Sequence, residues 1–214
     1  GALHGISPQH LVARSPLGYV NAITIAEQGE FPVFPCATYS WLRGSKALAT
    51  TNVQLLRSWW EDDPTTQWRV RADQPTDGLN ILHFPDARTF ARLCEKLGSS
   101  PPNTWTIERG EESWHLFARG ILEPEFALER SIAGTAAMLC RTAMLPGCRG
   151  TRSNEVFRWR DQCAPGETSI ASLPREYVNA IPKKNSGIGL NATRDRRAGW
   201  HSRPDCPLWS GPLS

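Results

Sequence analysis

The alternation of apolar and polar positions divides the chain into short elements separated by frequent turn signals. In "SPLGYVNAITIAEQG", residues 15–29, Tyr19, Ala22, Ile23 and Ala26 recur on one helical face. Ser15 suits an N-cap, Pro16 a first helical position and Gly29 a terminator. "FPVFPC", 31–36, reads as a short strand whose prolines argue against the middle of a sheet. A polar loop leads to Thr51–Asn52, which opens a second helix with Val53, Leu55, Leu56, Trp59 and Trp60 apolar. That helix ends before Pro64, and "TQWRVRAD" then alternates as a strand. Residues 79–84, "LNILHF", have the composition of a buried strand, with Gly78 before them and the turn signal Pro85–Asp86 after.

"DARTFARLCEKLG" is the clearest helix: Phe90, Leu93, Cys94 and Leu97 share a face and Gly98 terminates it. "TWTIERG" and "SWHLFARG" read as a hairpin joined through Gly110-Glu111-Glu112. "AAMLCRTAML" is one strand or a pair, "EVFRWRD" alternates as a strand, and "SLPREYVNAI" is a short closing helix. Residues 1–15 form an irregular leader. From residue 183 Gly, Asn, Arg, Pro and Ser dominate and apolar periodicity stops, so 183–214 reads as a basic, poorly ordered or extended tail. Residues 16–182 are then one α+β domain, a mixed β-sheet flanked by helices.

Composition changes this picture only in part. The net charge of +3 is too weak a bias to identify a partner. The distribution says more, because arginines crowd 141–160 and lysines and arginines crowd the C-terminus. Such runs are a solvated face or a phosphate-binding one. Nine tryptophans are assigned mostly to core edges. The six cysteines form no CxxC pair and no zinc-finger spacing. Cys140 and Cys148 are close enough for a hairpin disulfide, but free buried thiols are the expected state. No apolar run is long enough to span a membrane and no signal peptide is visible, which predicts a soluble protein in the reducing cytoplasm.

The order of these signals resembles the bifunctional primase–polymerase (Prim-Pol) domain of phage, plasmid and integrated-element replication proteins, within the archaeo-eukaryotic primase superfamily. That family opens with a helix, a "G-x-P-V-F-P" strand, a loop lysine, an "A-T-T" element and a helix ending "W-W". The corresponding residues are Gly29 with "FPVFPC", Lys46, "ATT" at 49–51, and Trp59-Trp60. The family's "P-x-T-W-x-x-x-T-G-S-G-G-x-H-L-Y-F" is met by "PPNTWTIERGEESWHLF", 101–117. Its "P-P-S", "Y-x-W" and final "L-P" are met by "AMLPGC", "FRW" and Leu173-Pro174. The resemblance covers residues 16–182.

The resemblance also implies a divalent-metal site at the end of strand 79–84, where the family carries Asp-x-Asp to hold Mg²⁺ or Mn²⁺. Here the two positions are His83 and Pro85. Proline offers no ligand, and a neutral imidazole suits Zn or Mn better than Mg. Asp86 lies one residue late, on the other strand face. It either caps the next helix or reaches the site through a turn at Pro85, so Asp86 and His83 are the candidate metal residues. Glu129 is the nearest counterpart of a third family carboxylate. The family's glycine pair becomes Glu112-Ser113 or Ser113-Trp114, whose side chains crowd a phosphate, and Glu111 and Glu112 repel one. His115 matches the family histidine that touches nucleotide phosphates. It stands with Asp86 as a candidate catalytic residue, or else is a satisfied structural histidine. Lys46, Arg149, Arg152 and Arg158 are candidate nucleotide or DNA contacts, and Lys46 is otherwise a solvated loop residue.

Three functions follow from these departures. One is a replication-associated domain without catalysis that binds DNA, nucleotide or a replication protein such as a helicase. Another is an active DNA primase/polymerase with an unusual Mg or Mn site. The last is a protein-interaction domain that regulates a replication complex.

Overall fold

A computed structural model of the chain describes residues 17–36, 45–150 and 155–184. The leader, Arg152 and the tail from residue 185 lie outside the described residues. Residues up to Lys183 form one unit; the second begins at Lys184.

Helix α1 (Leu17–Gln28) buries Gly18, Ala22, Ile25 and Ala26. It ends directly before Gly29, as expected, but without a left-handed glycine cap. Gly29 has no positive φ, and Glu30 takes the left-handed conformation instead, at φ 54°. Gly29 is small for another reason, since a Cβ there would lie 2.4 Å from the Phe31 ring. Strand β1 (Val33–Cys36) does lie on a sheet edge, paired antiparallel with β2 (Gln67–Arg71). A 3₁₀ turn (Ser45–Leu48) precedes α2 (Val53–Asp62), whose cap Asn52 accepts from the amides of Gln54 and Leu55.

A second 3₁₀ turn (Pro75–Asp77) leads to β3 (Leu79–Phe84), then α3 (Ala87–Leu97). The hairpin strands are β4 (Thr106–Arg109) and β5 (Glu112–Ala118), joined by Gly110–Glu111 alone. "AAMLCRTAML" is a pair whose members join different sheets. β6 (Met138–Cys140) flanks β3, and β7 (Thr142–Met144) flanks β2. The strand expected in "EVFRWRD" shrinks to β8 (Arg158–Trp159) beside β4. A short β9 (Ala171–Ser172) runs parallel to β5, and α4 (Arg175–Ala180) closes the fold.

The three-stranded sheet is ordered β1-β2-β7, and the larger sheet β6-β3-β5-β4-β8, with β9 on β5. Alternation along β3 sends side chains into two cores. Leu79 and Ile81 join Trp114 and Leu116 of β5 in a core shared with the smaller sheet, α1 and α2. Leu82 and Phe84 join Phe117 in a second core with Leu93 of α3 and Tyr177 of α4. This double burial gives β3 its nearly unbroken apolar run.

Cys36, Cys94, Cys140, Cys148 and Cys163 are free thiols, as expected. Burial pushes the pKa values of Cys140 and Cys148 up to about 12, so both stay protonated. No described helix is long and apolar enough to cross a membrane.

Candidate functional site

The end of β3 meets the start of β5, with His83 opposite Trp114 and Phe84 opposite Ser113. His83 therefore points to the same sheet face as Trp114, and their rings stack at 5.0 Å with 23° between planes. Glu112, two residues before Trp114, shares that face. Its Oε2 lies 3.1 Å from His83 Nε2, and its Oε1 accepts from Arg109 Nη2 at 2.9 Å. An ionised carboxylate only accepts, so neutral His83 donates through Nε2–H. Burial pulls the His83 pKa down, with Glu112 partly opposing it. The Arg109 guanidinium carbon lies 4.7 Å over the Phe157 ring and 5.9 Å from that of Trp114. One carboxylate, one imidazole and one guanidinium thus share two aromatic walls.

His115 occupies the other face. It pairs with Leu82, is 5% exposed, and stacks on Phe90 of α3 at 5.7 Å. The Thr106 hydroxyl donates to Thr104 O at 3.0 Å, so it accepts from His115 Nδ1–H, 3.4 Å away. Nε2 then accepts from Ser113 Oγ at 3.1 Å. Both ring nitrogens are engaged within the core, and the sheet separates them from His83. Asp86 caps α3, its Oδ1 accepting from the amide of Thr89 at 2.6 Å, and this bond holds its carboxyl below the usual range. His83, Asp86 and His115 are therefore not brought together. The residues that replace the family's glycines have defined partners: Glu112 takes Arg109 and His83, and Ser113 takes His115.

Burial lowers the His115 pKa from 6.5 to about 3. Between these values the unfolded chain carries a proton that the folded chain does not. Stability is thus complete above the unfolded value and declines as pH falls through the window, by about 2 kcal/mol at pH 5. The lowered His83 pKa acts in the same direction. Urea titrations at pH 7 and pH 5 are expected to show this loss, and His115→Gln is expected to remove most of it. An equal pH dependence in the variant counts against the assignment.

The basic candidates are largely paired with acids. Lys46 Nζ forms an ion pair with Asp73, whose side chain is 5% exposed. Arg71 forks onto buried Asp77, with Nη2 to Oδ1 at 2.7 Å and Nε to Oδ2 at 3.1 Å, and its Nη1 donates to Lys46 O. Nothing in the sequence marks Arg71, Asp73 and Asp77 as partners. Arg71 and Asp73 fall within the strand expected at "TQWRVRAD", whose alternation says which face each residue takes but not that Asp77, beyond it, meets Arg71. Arg158 and Arg160 converge on one carboxylate, Glu108, with nitrogen–oxygen separations of 2.8 and 3.2 Å. The backbone amide of Arg149 donates to Gln67 Oε1 at 2.7 Å. Glu129 pairs with Arg141 at 3.2 Å.

The donor set at the strand end does not fit a carboxylate-held pair of divalent ions. The acid that contacts the imidazole, Glu112, is already paired with a guanidinium. Among the described residues no group of three His, Cys, Asp or Glu side chains is placed to hold a metal ion.

Comparison with curated proteins gives no match. The family model described as "Bifunctional DNA primase/polymerase, N-terminal" matches residues 22–176, which run from within α1 to the start of α4 and include both sheets and the strand end of His83. With the two sheets, their flanking helices and most of the sequence accounted for by that match, the chain belongs to the bifunctional DNA primase/polymerase N-terminal (Prim-Pol) family.

Proposed function

We propose that this replication-type Prim-Pol domain has lost two-metal nucleotidyl transfer and serves as a DNA- or nucleotide-binding domain. One observation carries the reading. At the strand end where the family resemblance implies an acidic pair, the carboxylate that meets His83 is Glu112, and it is tied to Arg109 as well. In-line phosphoryl transfer needs metal ions to neutralise the charge on the attacking and leaving oxygens. Among the described residues no second acid joins Glu112 in a group placed to hold them.

Binding to phosphates is supported by Arg158 and Arg160. They carry two positive charges around one carboxylate, and the Arg158 side chain is 71% exposed. The Arg158 guanidinium is exposed, so it can turn to a DNA phosphate at small cost while Arg160 stays on Glu108. The test is a primed template with nucleotides and either Mg²⁺ or Mn²⁺, followed by fluorescence anisotropy on the same DNA over a salt series. The expected result is no extension, with binding that weakens as salt rises. Arg158→Ala is expected to lower the log–log salt slope by about one. Metal-dependent extension defeats the loss of catalysis, and an absence of binding at low salt defeats the DNA-binding role.

A protein-binding role has its own supporting observation. Ile121 and Leu122 are 101% and 96% exposed at the tip of the loop after β5. Adjacent large apolar side chains that exposed suit contact with a replication protein such as a helicase.

A further inference from the structure

We infer that Arg109 is a resident cation that keeps divalent ions out of the strand-end cluster, an inference that rests on the proposed loss of metal-dependent catalysis. Glu112 needs positive charge beside it, and Arg109 supplies it through Nη2 at 2.9 Å. The guanidinium is held in a built seat. Phe157 and Trp114 present ring faces to it at 4.7 and 5.9 Å. Gly150 leaves room for it, since a Cβ there would lie 2.5 Å from Arg109 Nη1. Arginine does not deprotonate in a protein, so the charge is permanent. A divalent ion at Glu112 would lie within a few ångströms of this charge in a partly buried setting, where repulsion is weakly screened. The other ingredients of a metal site are already adjacent: a carboxylate oxygen and an imidazole nitrogen lie 3.1 Å apart. Arg109 holds them as a salt-bridged cluster, so exclusion of the ion is an active property of the site as well as a consequence of missing acids.

The test uses the full chain and Mn²⁺, whose free six-line electron paramagnetic resonance signal disappears on binding. Wild type is expected to leave the signal unchanged apart from sites insensitive to Glu112→Gln. Arg109→Gln is expected to gain one Mn²⁺ site, and His83→Asp in the same background to tighten it about tenfold or more, because Mn²⁺ prefers carboxylate to imidazole. Adding Glu112→Gln should abolish that site. Wild-type Mn²⁺ binding that is lost in Glu112→Gln overturns the inference, and that arm requires no Arg109 variant to fold. A folded His83→Asp/Arg109→Gln protein that binds no Mn²⁺ overturns it as well. Primer extension by a wild type that takes no Mn²⁺ at Glu112 defeats the functional reading alone.

Discussion

Arg71→Met is expected to lower the unfolding free energy by about 3–5 kcal/mol, the usual cost of removing one partner from a buried ion pair. Asp77 is 4% exposed and takes two nitrogens of Arg71; its remaining donor is the amide of Gln74 at 3.0 Å. Without Arg71 its charge remains in a largely dry setting. Asp73 loses a second cation, as Arg71 Nε lies 3.6 Å from its Oδ1. The bond to Lys46 O is lost too, which loosens the 3₁₀ turn carrying Lys46. Arg71→Lys keeps the charge but not the fork, so its loss should be intermediate. Arg158→Ala supplies the contrast: its ion pair is exposed, and the expected change is within about 1 kcal/mol. Denaturant unfolding of the three variants measures all of this. A loss below about 1 kcal/mol for Arg71→Met would mean that water reaches Asp77 readily.

Gly147→Ala is expected to cost about 3 kcal/mol or more. Gly147 has φ 87°, a conformation that costs other residues about 1–2 kcal/mol. An added Cβ would lie 2.6 Å from both Gly18 N and Leu17 Cβ, so overpacking adds about 1–3 kcal/mol. The neighbourhood has little room to relax. Asn21 of α1 donates to Pro146 O at 2.9 Å and accepts from Trp159 Nε1 at 2.8 Å, and Cys148 Sγ stands 2.8 Å from where a Gly18 Cβ would be. Gly166→Ala separates the two contributions. Its φ of 89° is nearly the same, yet a Cβ there meets nothing within 4 Å, so about 1 kcal/mol is expected. Thermal melts should place Gly147→Ala roughly 10 °C below wild type and Gly166→Ala a few degrees below. Equal shifts would show that backbone strain alone sets the cost.

What the sequence disclosed depended on how local each cause is. The cap of α3 by Asp86 and its end at Gly98, and the β4–β5 hairpin, rest on signals within a few residues and were legible. The separation of β6 from β7 is not readable locally, because Met138–Cys140 and Thr142–Met144 differ only in the partners waiting for them, β3 and β2. β9 was missed because two residues carry no periodicity, and its pairing depends on the edge of β5 left open beyond β4. At the candidate site, the resemblance pointed to the strand end of His83, but it aligned residues without assigning sheet faces. His115 and His83 sit on neighbouring strands in registers that turn them apart, and only the pairing of Leu82 with His115 reveals this. The Arg109–Glu112 pair went unread, although its members stand three residues apart across a short turn. Its meaning required Phe157, which lies far along the chain.

Three strands share β5, and they reach it over very different lengths of chain. β4 meets it across the two-residue turn Gly110–Glu111, β3 arrives from some thirty residues upstream, and Ala171 joins Phe117 only after most of the domain has been laid down. Closing a longer loop costs more entropy before any contact is made, so these pairings should form in that order, with the hairpin within microseconds. The last strand to arrive has the fewest bonds to hold it. In pulse-labelled refolding, the amides of β4 and β5 should become protected first, and the β9 edge last.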